Sequence, residues 1–386
     1  MNTPVTNNKT AGQINRRSKV QSYTVFFPAA SLYAAIVVPL SVYAMTGGRL
    51  TALAGTGHAR EMLFGFALAL VAGYLLGPTN RPRLLLLCAI WLAARLSYLF
   101  APGSLAAGIL TPLFALLLAV IVVPRFSSAK KWRNRMIQPL LIALCAVPVV
   151  YTVAAHGRQV SLGYSLLLAM IILLSLLMSF MGGRVIAPAA AGAYYRLGMN
   201  LEARVQPRLE AALILLHMLA VLAVFVPMGT YITGPAVIAA GLIAAIRLYR
   251  WRLWGLLHRT DLVGLGIGYG WLALGQLLLG GLLFFGTSPV PAIHLITVGA
   301  IGTLSICVMT RIHFQRLKRD PSASRFLAPA LIMMTLATLT RFAAALGYGE
   351  QVLLLWVSAL GWSIAYLLTT AQLCFGNSNR ISEPAA

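Results

Sequence analysis

Charge is scarce in this 386-residue chain, and acidic charge most of all: only 10% of residues are charged and just seven are Asp or Glu. With 60% hydrophobic residues and a mean hydropathy of +0.85, that scarcity excludes an ordinary soluble protein. Cysteine is sparse too. Cys88, Cys145, Cys307 and Cys374 each fall singly in a different apolar run, and no CxxC occurs. That excludes a zinc ribbon and a disulfide framework, and leaves buried apolar thiols. No hydrophilic stretch is long enough for a soluble domain, no H-x-H pair occurs, and the two halves show no alignable repeat.

What the chain has is a series of apolar runs, each long enough to cross a ~30 Å hydrocarbon core as a helix. Twelve are expected, at 24–45, 61–77, 84–101, 104–123, 136–155, 160–181, 210–228, 232–249, 262–284, 292–310, 326–347 and 350–374. The expected fold is an all-α, polytopic transmembrane bundle with both termini cytoplasmic. Residues 1–23 and 375–386 form short tails around one membrane domain, 24–374. The net charge of +23 could point to nucleic acid, but its placement does not. With a cytoplasmic N-terminus, 25 of the 30 Lys and Arg fall on cytoplasmic segments and three (Arg49, Arg60, Arg158) outside, while Arg95 and Arg341 lie within helices. This is the positive-inside pattern of a multi-pass protein whose basic loops meet anionic lipid. The "NRRSKV" segment resembles an export signal, yet the first apolar run is too long and lacks a cleavage site, so it reads as a retained helix.

That topology places five unusual intramembrane side chains in the outer leaflet: His58 and Glu61 on the second helix, Arg95 on the third, His294 on the tenth and Arg341 on the eleventh. An ionisable residue within a spanning helix costs at least ~2.5–3.5 kcal/mol and needs a partner, a cavity or a ligand. Glu61 can pair with Arg95 or Arg341, with Glu350 as a competitor. A carboxylate three residues from a histidine can also orient it toward a metal, and His294 on a facing helix can complete the ligation. Trp91 and Tyr98 share Arg95's helix face and offer a flat cationic and aromatic wall for a porphyrin edge. His217, near the middle of helix seven, is a further metal-ligand candidate. The plainer alternatives are a capping role for Glu61, snorkelling arginines and a simple interhelical hydrogen bond for His217. His156, His258 and His313 read as solvated. Gly65, Ala69, Gly73 and Gly77 make a small-residue stripe that admits a close neighbour, and 183–209 reads as the longest loop.

Three segments, "HAREMLFGFALALVAGYLL" (58–76), "GGRVI" (182–186) and "HLITVGAIGTLSICVMTR" (294–311), resemble the NnrS family of bacterial membrane proteins. The resemblance implies a twelve-helix protein of the bacterial inner membrane that holds haem and copper and is linked to nitric oxide and nitrosative stress. It implies that His58 and His294 match family histidines suspected of holding cofactor, and that Glu61 matches the family glutamate. The chain departs from the family's H-x-H-E pattern by carrying Arg60 at the second histidine, keeps only an asparagine in "PTNRPR" (78–83), and has Arg316 near a family histidine after VMTR. An arginine does not ligate metal at neutral pH.

Three functions follow as expectations. The first is a haem site between helices two and ten, using His58 and His294, with Glu61 orienting His58 and with Arg95 and Arg341 meeting propionates; its other partners are the lipid bilayer and a small gas such as nitric oxide. The second is a secondary transporter using the same charge cluster. The third is a structural or assembly membrane protein whose buried charges merely pair.

Overall fold

The computed structural model describes residues 19–127, 135–202 and 206–375. Twelve long helices cross back and forth: α1 (Tyr23–Met45), α2 (56–75), α3 (Arg81–Phe100), α4 (Leu105–Val122), α5 (Ile137–His156), α6 (Val160–Arg196), α7 (Pro207–Ala223), α8 (Thr230–Arg250), α9 (Thr260–Phe284), α10 (Val290–Arg316), α11 (Leu327–Ala345) and α12 (Gln351–Phe375). Lipid offers the backbone no hydrogen bonds, so each crossing must satisfy its own amides, and a helix does this within one segment. Ten of the twelve are by themselves long and apolar enough to span. The other two are α7, shorter and carrying Glu210, and α2, whose winding changes along its length. The exposed residues of α3 and α4, among them Leu85, Leu86, Leu92, Ile109 and Val120, form the apolar coat expected of a surface wetted by hydrocarbon rather than water. The basic segments at 1–18 and 128–134 lie outside the described residues, as do most of the two tails.

The membrane portion of α6 is well enclosed, with Leu166–Leu167 and Ala169–Leu176 all buried, and α9 and α10 pack against it. α12 returns to α1: the Trp362 indole donates to the Ala34 carbonyl at 3.1 Å and the Ser363 hydroxyl to that of Ala35 at 2.7 Å. A two-stranded antiparallel ribbon, β1 (Lys19–Gln21) with β2 (Pro78–Asn80), ties the start of α1 to the turn after α2.

Several expectations need correcting. α2 begins at Thr56 rather than at 61, so His58 is inside the helix. α6 does not end near 181; it runs on through Gly182, Gly183 and Pro188 to Arg196, which replaces much of the expected loop. The reason lies at Gly183, where an added Cβ would stand 2.5 Å from both the Arg247 guanidinium and the Glu210 carboxylate. The glycine is a seat for that ion pair (3.5 Å) and not a helix stop. The stripe on α2 likewise admits side chains: the Phe27 ring crosses Gly73, and Arg95 crosses Gly65. Gly77 lies beyond the helix at φ +53°.

Candidate functional site

The outer end of α2 is built around a change of winding. After a short α-helical turn, Thr56–Arg60, the backbone becomes π-helical over Glu61–Ala67 and then α-helical again. α10 does the same, with Val290–His294 α-helical and Leu295–Gly302 π-helical. Both candidate histidines therefore stand just ahead of a π segment, a distortion that recurs at functional sites. Its cost is met from α3: the Trp91 indole donates to the Gly65 carbonyl at 2.9 Å, inside the π segment, and Arg95 lies over the same glycine, where a Cβ would come within 2.6 Å of Nη1.

Glu61 is the hub of a buried network. Its carboxylate takes a hydrogen bond from Arg95 Nη1 at 2.8 Å and another from the Tyr33 hydroxyl, and Arg60 Nη1 lies 3.6 Å away. Arg95 also donates to the Thr111 hydroxyl at 2.5 Å. Arg60, expected in an outer loop, is buried; it donates to the Ala107 carbonyl at 2.7 Å and stacks 3.7 Å from the centre of the Tyr98 ring. The Tyr98 hydroxyl donates to the Ala52 carbonyl at 3.0 Å. Two guanidinium groups around one carboxylate leave this buried network with surplus positive charge. Glu61 is paired with Arg95 and not with Arg341, while Glu350 is exposed. Trp91 and Arg95, each 3% exposed, are enclosed within the network, so together with Tyr98 they hold α2 rather than form an open wall.

His58, His294 and Arg341 form a second group, close enough for their charges to interact. His294 donates from Nδ1 to the Val290 carbonyl at 2.8 Å, because a carbonyl only accepts; its Nε2 then carries the lone pair. A backbone carbonyl fixing one ring nitrogen while the other is presented is the usual arrangement of a ligating histidine. His58 keeps its Nδ1 buried with no hydrogen-bond partner among the described residues. Glu61 Oε2 accepts both hydrogen bonds while Oε1 has none among the described residues, and neither oxygen is bonded to His58, so Glu61 does not orient that ring. Tyr33, Arg60 and Thr111 were not singled out as site residues from sequence. Only Arg60's place beside Glu61 carried a signal; nothing in the spacing links Tyr33 or Thr111 to them.

The remaining candidates lie apart. His217 is 1% exposed, donates from Nδ1 to the Leu213 carbonyl at 2.7 Å and meets the Gln276 amide through Nε2 at 2.8 Å, so both nitrogens are committed to the α7–α9 contact. His313 is buried, 4% exposed, and not solvated as expected. It closes the inner end of α10, where Arg311 bonds the fully buried Asp261, which Arg259 also meets at 3.1 Å. Among the described residues no three His, Cys, Asp or Glu side chains gather as a metal cluster, so a metal here would rest on the histidine pair and non-protein ligands.

A separate open pocket, about 870 Å³ counted out through its mouth, lies in the half of the bundle away from His58 and His294, between α2, α6, α9 and α10. Its walls are almost wholly apolar. The Tyr269 hydroxyl lies 3.1 Å from Arg247 Nη1 and accepts its hydrogen bond, and Ser305 is bonded to Tyr366 at 2.7 Å.

No curated protein and no solved structure matches the chain. A family model does, described as NnrS protein and aligned over residues 20–374, which takes in all twelve helices but the last residue of α12. The paired histidines ahead of two π segments, the buried glutamate and the glycine pair of α6 all fall within that match, and the chain belongs to the NnrS family.

Proposed function

We propose that this membrane protein binds haem in the outer half of the bilayer, between α2 and α10, and contributes to tolerance of nitric oxide in the cytoplasmic membrane of a bacterium. The observation that carries the reading is the pair of imidazoles. His58 holds a buried nitrogen that no group among the described residues satisfies, and His294 presents Nε2 while the Val290 carbonyl fixes its other side. A buried polar atom without a partner calls for an explanation, and a metal ligand is one; because His313 Nε2 shares that state, the reading rests on the pairing of His58 with His294. Bound iron would supply a one-electron redox couple and, with only one of the two imidazoles ligating, an open position for a diatomic gas.

The chain's own residues prepare the place. Arg341 adds a guanidinium beside the histidines, suited to a propionate carboxylate. Glu61 and Tyr33 offset and orient Arg95, so that α3 can brace the π segment below His58. Copper would have to use the same two nitrogens, because Arg60, at the family's second histidine, is committed to the Ala107 carbonyl and the Tyr98 ring. Haem and copper together do not fit this one pair. A transport role is less supported, since the large cavity and the charged cluster occupy opposite halves of the bundle.

Reduced-minus-oxidised spectra of the protein purified in mild detergent after expression with haem supply test the reading. A Soret band near one equivalent, lost or shifted in His58→Ala and His294→Ala, is the expected result. A folded parent protein without haem overturns it.

A further inference from the structure

The cavity in the cytoplasmic half has no part in the haem reading, and its shape and chemistry narrow what it can hold. At mid-membrane it is closed by Ala67, Leu174 and Ile301, all buried. Its half-buried lining runs along one side, at Leu70, Tyr74 and Leu75 on α2 and Leu177, Met178, Met181 and Val185 on α6, so the slot is open between these two helices down to its cytoplasmic end. Its length along α6, from Leu174 to Ile186, corresponds to about 18 Å at 1.5 Å per residue, close to the ~15 Å of one leaflet's hydrocarbon. Of the three wall hydroxyls, those of Tyr269 and Ser305 are bonded within the protein, and the third, on Tyr74, lies toward the cytoplasmic end, so the deep walls do not call for a polar head.

Basic groups stand at the open end. Arg184 stacks 3.5 Å from the centre of the Phe180 ring and lies within electrostatic range of Tyr74. Arg125 donates to the Leu75 carbonyl at 3.3 Å, which holds its guanidinium at the cytoplasmic end of α2. Glu210, packed over Gly183, is paired with Arg247. An apolar slot one leaflet deep with cations at its cytoplasmic lip has the polarity of a phospholipid: hydrocarbon within, anionic phosphate at the rim.

We propose that this slot holds one acyl chain of an anionic phospholipid of the cytoplasmic leaflet, with its phosphate drawn to Arg184 and Arg125. The simplest competing account is a cavity that stays dry and empty, as apolar cavities can.

Native mass spectrometry of the full-length protein, in micelles doped with phosphatidylglycerol or with phosphatidylcholine of the same chains, separates the two. One retained phosphatidylglycerol is expected, held in preference to phosphatidylcholine. Met181→Trp and, independently, Leu177→Trp fill the slot and should release it, with melting temperatures recorded to show that each variant is folded. Arg184→Gln should weaken phosphatidylglycerol binding roughly fivefold while leaving phosphatidylcholine binding unchanged. The proposal is overturned by a parent protein that retains no phospholipid, by equal retention in a folded slot-filling variant, by indifference to headgroup charge, or by an isoprenoid quinone found in the phospholipid's place. None of these outcomes depends on whether haem binds.

Discussion

Glu61 is 1% exposed and is the carboxylate that faces two arginines which are themselves buried. Removing one partner of a buried pair leaves an uncompensated charge, at a cost of about 3–5 kcal/mol. Glu61→Gln should therefore lower the thermal stability of the detergent-solubilised protein sharply, and Glu61→Leu combined with Arg95→Met should recover much of the loss. A Glu61→Gln variant that melts with the parent would show the pair to be idle. That Glu61 pairs with an intramembrane arginine was legible in sequence, because each is a rare residue type at the same depth, but the choice of Arg95 over Arg341 was not. Nor were its other partners. Tyr33 and Thr111 look like ordinary apolar-helix residues, and Arg60 looked external because hydropathy started α2 several residues too late. Burial of His313 and Arg247 was hidden by the same effect at the other membrane face, where helices extend past their apolar runs.

At the scale of the element, the π segments of α2 and α10 are features that no hydropathy profile reports. A π turn accommodates an extra residue while keeping the helix continuous, so it alters which way the residues on either side face. Deleting Met62 from Glu61–Ala67 should return that segment to α winding. His58 would then turn by about 100° relative to the lower half of α2. The expected outcome is a protein that still purifies as a folded species and has lost the Soret band. Retention of the parent spectrum would mean that the winding of α2 does not aim His58. The length of α6 was misjudged for a different reason. Gly182 and Gly183 look like a helix end, but their lack of side chains makes room for Tyr269, Trp251 and the Arg247–Glu210 pair, and those contacts carry the helix onward.

At the scale of the whole molecule, the twelve crossings were readable because a membrane span needs length and apolarity, and the basic loops mark one face. The orientation this implies can be tested after replacing the exposed Cys374. A cysteine at Ser288, between α9 and α10, should react with an impermeant maleimide on intact cells, and one at Arg319, after α10, only once the membrane is opened. The reverse pattern would place the histidine pair on the cytoplasmic side. The ribbon of Lys19–Gln21 with Pro78–Asn80 has a consequence for biosynthesis. It can clasp the first two crossings together as soon as residue 80 clears the ribosome, while α10 is still unmade. His58 would thus be delivered to the membrane on a finished hairpin and wait for His294, so that a ligand shared by the two could load only late in the life of the nascent chain.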